Sequence, residues 1–175
     1  MKMIYYKTLA STNLKAKEMA KGGAESWTVV VAEKQRGGYG RKGGKWLSPK
    51  GGLYFSIILP KSQIEDLQTL TILAAFIVAK NIKNNFKLEP LIKLPNDVLI
   101  KDKKIAGVLT ENVIGQDVKL SVMGIGINTN IEKFSDDLED IATSLKIELK
   151  KDVDNKKILE QIIKELKEQL RTISE

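Results

Sequence analysis

The chain contains no cysteine and no histidine. Without cysteine there are no disulfides and no thiol nucleophiles. Without either residue there is no Cys/His zinc site and no triad built on an imidazole base. The shortage of histidine also has a plain cause in biased base composition, given the abundance of Lys, Ile and Asn. Long apolar runs are absent too, and the start, Met1-Lys2-Met3-Ile4-Tyr5-Tyr6-Lys7, lacks the apolar stretch of a signal peptide. A cytoplasmic protein with no membrane contact is expected. Whatever chemistry occurs must run on Lys, Arg, Asp, Glu, Asn and hydroxyls. That set suits electrostatic stabilisation of phosphates better than acid–base work near neutral pH.

Acid is missing locally as well. From Lys34 to Lys61 there are seven Lys or Arg and no Asp or Glu, an excess equal to the formal net charge of +7 on all 175 residues. Within that span lies Gln35-Arg36-Gly37-Gly38-Tyr39-Gly40-Arg41-Lys42-Gly43-Gly44-Lys45-Trp46, with five Gly and four cationic residues in twelve. Glycines let the backbone approach a ligand closely, and successive N–H groups in such a turn make a concavity for anions. Trp46 adds a flat surface for a planar ring. A nucleotide fits this combination. A solvated basic loop and a groove for single-stranded nucleic acid fit it as well, so the loop alone decides nothing.

The length suits one well-buried domain. Lys2–Lys7 reads as a short strand. Ser11-Thr12-Asn13 offers N-caps for a helix over Leu14–Lys21, stopped by Gly22-Gly23. Trp27–Glu33 and Gly52–Leu59 read as buried strands. A long helix over Gln63–Phe86 carries Ile64, Leu67, Leu70, Ala74, Ala75, Val78 and Ile82 at helical spacing. Strands are expected over Leu91–Ile100, bent or at an edge at Pro95, then over Lys104–Val113 and Val118–Asn128, with a tight turn at Asp102-Lys103. Leu138–Leu145 reads as helix. A final helix from about Asp154 has a packing stripe of Ile158, Leu159, Ile162, Ile163, Leu166, Leu170 and Ile173. The order predicts an α+β domain, a mixed β-sheet with helices on one side.

Three more segments complete a pattern: Lys93-Leu94-Pro95-Asn96-Asp97, Lys104-Ile105-Ala106-Gly107-Val108-Leu109-Thr110-Glu111, and Gly124-Ile125-Gly126-Ile127-Asn128-Thr129-Asn130. Each has a dull reading as a turn, a hairpin lysine or a strand bulge. Ser11-Thr12-Asn13 is a sufficient N-cap without any ligand, and Trp46 could be core. Together with the glycine loop, in this order, they resemble the catalytic domain of biotin–protein ligases, also called biotin–[acetyl-CoA-carboxylase] ligases, from about Tyr5 to Leu145.

The resemblance implies a fold related to the class II aminoacyl-tRNA synthetase core and a two-step reaction. Biotin is activated by ATP to biotinyl-5′-AMP with release of pyrophosphate, then transferred to the ε-amine of a lysine on a biotin carboxyl carrier protein. In the positions that match the family, Ser11, Thr12, Asn13 and Gln35 would hold the ureido ring of biotin. Gly38, Tyr39, Lys104, Gly107 and Gly126 would form the rest of the biotin site. ATP would be held by Gly40, Arg41, Trp46, Asn96, Lys104 and Asn128. Lys104 and Arg41 would clamp the reacting phosphate, with Asn96 and Asp97 completing the catalytic set. Asp97 would act through Mg²⁺ or orient the incoming amine. ATP and Mg²⁺ are the implied cofactors. The carrier of acetyl-CoA carboxylase is the default partner, no DNA partner is expected, and a homodimer follows only by analogy. Lipoate–protein ligase, or an inactive biotin- or nucleotide-binding module, remains the alternative.

Departures are informative. The family's loop usually reads Gly-Arg-Gly-Arg; here the first arginine is Tyr39, and a further arginine before Lys-Trp is Gly44. A phenol has neither the charge nor the fork of a guanidinium. A looser loop that leaks adenylate is expected, and Tyr39→Arg should then slow release of biotinyl-AMP; an unchanged rate would reject the idea. Leu94 stands where the family commonly has Trp. The chain is expected to be a single catalytic domain over 1–175, without an N-terminal winged helix or a C-terminal SH3-like domain.

Overall fold

The computed structural model describes residues 2–60, 66–114 and 119–174. Strand β1 (Lys2–Leu9) leads to helix α1 (Thr12–Lys21), β2 (Thr28–Gln35), β3 (Leu53–Leu59) and α2 (Leu67–Phe86). Then come β4 (Leu91–Lys93), β5 (Asp97–Ile100), β6 (Lys103–Ile114), β7 (Lys119–Ile127), α3 (Leu145–Leu149) and α4 (Asn155–Ser174). One seven-stranded sheet runs β1-β2-β3-β7-β6-β5-β4. Only β1 and β2 pair in parallel; the remaining neighbours are antiparallel. The mixed α+β sheet expected from the sequence is therefore what the chain forms.

The back face carries the main core. Phe55, Ile57 and Leu59 of β3 and Met123, Ile125 and Ile127 of β7 point into it. Leu70, Ala74, Val78 and Ile82 of α2 meet Ile158, Leu159, Ile162, Ile163, Leu166 and Leu170 of α4 there. Each such Leu or Ile, fully buried, contributes about 1.5–3 kcal/mol. The packing stripes read from helical spacing are thus core, apart from Leu67, which is half-buried. Gln63, Ile64, Val118 and the side chain of Ile173 lie outside the described residues. Lys80–Glu165, at 2.5 Å, ties α2 to α4.

Three expectations need correction. The helices are not all on one side: α1 packs Ala16 and Ala20 on Val30, Ile58, Val113 and Val122, which face the front. The alternation of side chains along β2 and β3 makes this unavoidable, since Val30 and Ile58 leave an apolar strip opposite the main core. The tight turn is Lys101-Asp102, one residue earlier than expected. Both have left-handed backbones (φ 49° and 66°), as a two-residue hairpin loop requires, with Ile100 paired to Lys103.

Leu138–Leu145 is not a helix either, apart from Leu145, which opens α3. Turns close over Ser135–Ala142, Ala142 then bridges to Lys104 in parallel, and Ser144 caps α3 through Ile147 N–H. Backbone bonds to β6 outweigh the helical propensity there. Pro95, in a cis bond after Leu94, separates the short edge strand β4 from β5, so the Leu91–Ile100 run is two strands.

Candidate active site

The C-terminal end of β2 and the front faces of β7, β6 and β5 enclose a cleft beside α1. Antiparallel register places Tyr54, Gly126, Gly107 and Asp97 in one cross-sheet row, and Ser56, Gly124 and Leu109 in the next. Register is continuous through Gly124 and Gly126, so neither is a bulge. The irregularity lies instead at Ile105: Val98 pairs with Ala106 while Leu99 pairs with Lys104. A bulge adds one residue to the strand. Lys104 and Gly107, three apart and otherwise on opposite faces, thereby share the front, while Ile105 and Ala106 are both fully buried in the back core.

At one end of the cleft stands a cluster of neutral polar groups. Gln35 Oε1 accepts from Thr12 N (2.7 Å) and Thr12 Oγ1 (3.1 Å), and Gln35 Nε2 donates to Ser48 Oγ (2.7 Å). Ser11 Oγ caps α1 through Leu14 N. Ser56 Oγ lies 2.8 Å from Thr12 Oγ1 and 2.6 Å from Asn13 Oδ1. The N-cap reading of Ser11 and the ligand reading of its neighbours are therefore compatible, because capping uses the side chain of Ser11 alone.

Charge gathers at the other end. Lys104 Nζ is 2.8 Å from Asp97 Oδ1, which also accepts from Asn96 Nδ2 at 2.8 Å. Arg41 Nη1 reaches Asn96 Oδ1 at 3.3 Å. Asn128 does not line the cleft. It is buried, and its Nδ2 donates to Thr143 O (3.0 Å) and Lys104 O (3.4 Å). With Lys104 N–H donating to Ile141 O and Thr143 N–H to Lys104 O, it fixes the backbone from which Lys104 projects.

The glycine loop is a closed hairpin. Tyr39 bridges Lys45, Trp46 N donates to Gly38 O (2.9 Å), and Gly40 N to Gly44 O (2.7 Å). Gly38 sits so tightly that a Cβ there would come within 2.6 Å of Trp46 O. The hairpin lays the Trp46 indole along the cleft floor: a Cβ on Gly126 would be 2.6 Å from its Nε1, and one on Gly107 3.2 Å from its Cζ3. Lys104 Nζ stands 5.0 Å from the ring centroid, a cation–π arrangement. The indole Nε1 is buried without an acceptor. About 50 Å³ of room remains beside it, enough for a few waters.

Sequence reasoning had not singled out Glu111, Lys17, Ser48 or Ser56. Glu111 follows Gly107 and Leu109 at strand spacing, a signal that could have placed it on the front face. It receives Lys17 Nζ at 2.5 Å, Asn13 Nδ2 at 2.8 Å and Tyr39 OH at 2.8 Å. Burial pushes its carboxyl upward, but the bonds from Lys17, Asn13 and Tyr39 and the charge of Lys17 outweigh that, and the net shift is down. Burial, then the bond and charge of Glu111, push the Tyr39 phenol well above its ordinary range.

Among the described residues no helix is long and apolar enough to cross a membrane, and no group of three His, Cys, Asp or Glu is placed to hold a metal. On the charged side Asn96 lines the cleft, and Asp97 stands behind it, bound to Lys104 and Asn96.

Comparison with known proteins matches residues 5–128 to the model for "Biotin/lipoate A/B protein ligase family". The chain is 39% identical over 166 residues to the bifunctional ligase/repressor BirA of Bacillus subtilis, covering 92% of this chain and 51% of that protein. It is 33% identical over 123 residues to the biotin–[acetyl-CoA-carboxylase] ligase of Paracoccus denitrificans, covering 67% of this chain and 50% of that one. The chain thus spans about half the length of these curated relatives. Its fold superposes on a biotin protein ligase of Aquifex aeolicus, solved with biotin and ATP, with a TM-score of 0.89 and 34% identity, covering 99% of this chain and 72% of that one. These likenesses establish the expected class II synthetase-like fold. The chain belongs to the biotin/lipoate A/B protein ligase family.

Proposed function

We propose that the chain is an ATP-dependent biotin–protein ligase. The carrying observation is a cleft with two unlike ends: neutral donors and acceptors on Gln35, Thr12 and Asn13, and Lys104 with Asp97 and Asn96 opposite. A ligand with a polar, uncharged ring at one end and a carboxylate at the other matches that polarity. Biotin is such a molecule, and the Aquifex aeolicus relative was solved with biotin and ATP.

In the first step an oxygen of the biotin carboxylate attacks the α-phosphorus of ATP, the bond to the β-phosphate oxygen breaks, and pyrophosphate leaves. Negative charge accumulates on the α-phosphoryl oxygens. The Lys104 ammonium and Arg41 guanidinium would offset it, and both must stay protonated to do so. In the second step the neutral ε-amine of an acceptor lysine attacks the biotinyl carbonyl. AMP leaves and an amide remains. No step needs a thiol or an imidazole, which suits a chain without either.

Trp46 would contribute a stacking surface for adenine and an N–H still lacking an acceptor. Entry of a bicyclic ring requires the indole to shift from Gly126 and Gly107. Mg²⁺ fits the donor set. It is commonly held by one or two carboxylates plus substrate phosphates, and Asp97 with Asn96 would provide the protein oxygens. The metal would neutralise the triphosphate.

A biotin carboxyl carrier protein is the proposed acceptor, with that of acetyl-CoA carboxylase as the default. Lipoate is the competing acid within the family. Its dithiolane ring makes no use of the Gln35–Thr12–Asn13 cluster, and leaving those groups facing an apolar ring would cost affinity. The expected result is ATP–pyrophosphate exchange that depends on biotin and not on lipoate. Exchange with lipoate alone would transfer the reading to that acid. Exchange with neither, in folded protein, would leave a binding module.

A further inference from the structure

One carboxylate on the front of the sheet has no part in that chemistry and yet holds three side chains from two segments around it. Glu111 of β6 lies one row beyond Leu109 and Gly124, opposite Val122. Its Oε2 accepts from Asn13 of α1 and from Tyr39 of the glycine loop, both at 2.8 Å, and its Oε1 from Lys17 of α1 at 2.5 Å. Lys17 Nζ also lies 3.4 Å from the Tyr39 hydroxyl. Glu111 itself does not line the cleft.

We propose that Glu111 is a positioning residue, whose carboxylate both sets the Asn13 amide for ligand recognition and latches the glycine loop to the sheet through Tyr39. The ligand half rests on the biotin reading above; the loop half does not.

The geometry of Asn13 leaves little freedom. Its Oδ1 receives Ser56 Oγ at 2.6 Å, its Nδ2 is held by Glu111, and its carboxamide rests where a Cβ on Gly124 would be. Two acceptors fix which end of the amide faces Ser56, Leu109 O at 3.4 Å and, the shorter at 2.8 Å, Glu111 Oε2. The loop depends on the same atom. Tyr39 bridges across the hairpin to Lys45, next to the Trp46 N to Gly38 O bond, and Trp46 follows Lys45 directly on the opposing arm. Holding the Tyr39 hydroxyl therefore holds the arm that carries the indole into the cleft.

The phenol also bears on the looser loop expected from Tyr39: in the ligand-free protein it ties the loop to Glu111. Glu111 already has a full counterion in Lys17. A guanidinium at position 39 would bring a second cation to within reach of Lys17, whereas a neutral O–H donates to the carboxylate without that repulsion. A hydrogen bond to an ionised acceptor is roughly twice as strong as a neutral one, so the latch keeps strength while losing charge.

The test uses the purified chain and two variants, Glu111→Gln and Tyr39→Phe. In the first arm, trypsin cuts the ligand-free protein and cleavage after Arg41 and Lys42 is timed by mass spectrometry. Both variants should be cut there about tenfold faster, the loss of one charge-assisted hydrogen bond. In the second arm, pyrophosphate exchange gives kinetic constants. Glu111→Gln should raise the KM for biotin about tenfold, with kcat and the KM for ATP within about twofold, again the loss of one such bond.

Wild-type cleavage rates in both variants would overturn the latch. A fall in kcat without a change in KM for biotin would overturn the positioning of Asn13. Faster cleavage along the whole chain, with a lowered Tm, would reduce Glu111 to a structural residue and overturn both. If the unaltered chain shows no exchange with biotin, the functional reading fails, the positioning of Asn13 for that ligand falls with it, and the trypsin arm decides the latch by itself.

Discussion

Alanine at Lys104 is expected to lower biotin-dependent pyrophosphate exchange by about 10²–10³-fold, the usual cost of removing one preorganised charge donor from a reacting oxyanion. Three features concentrate the function of the cleft on this ammonium. It projects from a backbone fixed on both sides, by Ile141 and Thr143 and by the buried Asn128 amide. It stands over the Trp46 ring, and its Cε is 3.3 Å from where a Cβ on Gly107 would be. Its one described ion-pair partner is Asp97, and Arg41 is one asparagine further along. Stability should barely respond, because both members of the pair are partly exposed, and such pairs contribute about 0–1 kcal/mol. The signature is a collapse of kcat with Tm nearly unchanged. Retention of more than a tenth of the wild-type rate would mean that Lys104 is not the phosphate clamp.

The second large effect belongs to the floor. Gly124→Ala would place a methyl inside the Asn13 carboxamide, which Ser56 and Glu111 hold from two sides. The clash cannot relax toward β3 or β6, because both flank β7 in continuous register. A cost of about 1–3 kcal/mol is expected for such overpacking, with KM for biotin raised and the Tm lowered. Gly126→Ala should be milder in stability, since the Cβ meets the indole at 2.6 Å and the hairpin bearing Trp46 can lift. Gly107→Ala, with its nearest contact at 3.2 Å, should be mildest. Thermal denaturation of the three proteins checks the ranking. A Gly107→Ala protein less stable than Gly124→Ala would contradict this account of the floor.

Much of the site was legible because its parts are local. A cap at Ser11, a glycine run after a β-rich strand, and Asn96-Asp97 after a proline each announce their geometry in a few residues, and the fold brings them to one cleft. The main core was legible for the same reason: the stripes on α2 and α4 repeat at helical spacing. What escaped depends on contacts between distant segments. Nothing near Asn128 in sequence says that its amide will brace Lys104, 24 residues away. Glu111 gains its meaning only when α1 and the glycine loop arrive from 94 and 72 residues off. Leu138–Leu145 looks helical by composition, and only the open backbone groups at the start of β6 draw it into another shape. Placement of α1 on the front could have been deduced from Val30 and Ile58, which alternate with back-facing residues.

The extra residue at Ile105 bears on how this strand can change. Side chains along β6 keep their faces only by counting, and the count is broken once, between Lys104 and Gly107. Exchanging Ile105 for another apolar residue leaves the count intact and alters only how well a pocket in the core is filled. Deleting it restores strict alternation, and then either Lys104 turns its ammonium toward Met123 and Ile125 or Gly107 and every residue after it trade faces. The strand therefore tolerates spelling changes far better than frame shifts in three dimensions. Differences in length within this family should accumulate in the loops and stop short of the four residues from Lys104 to Gly107.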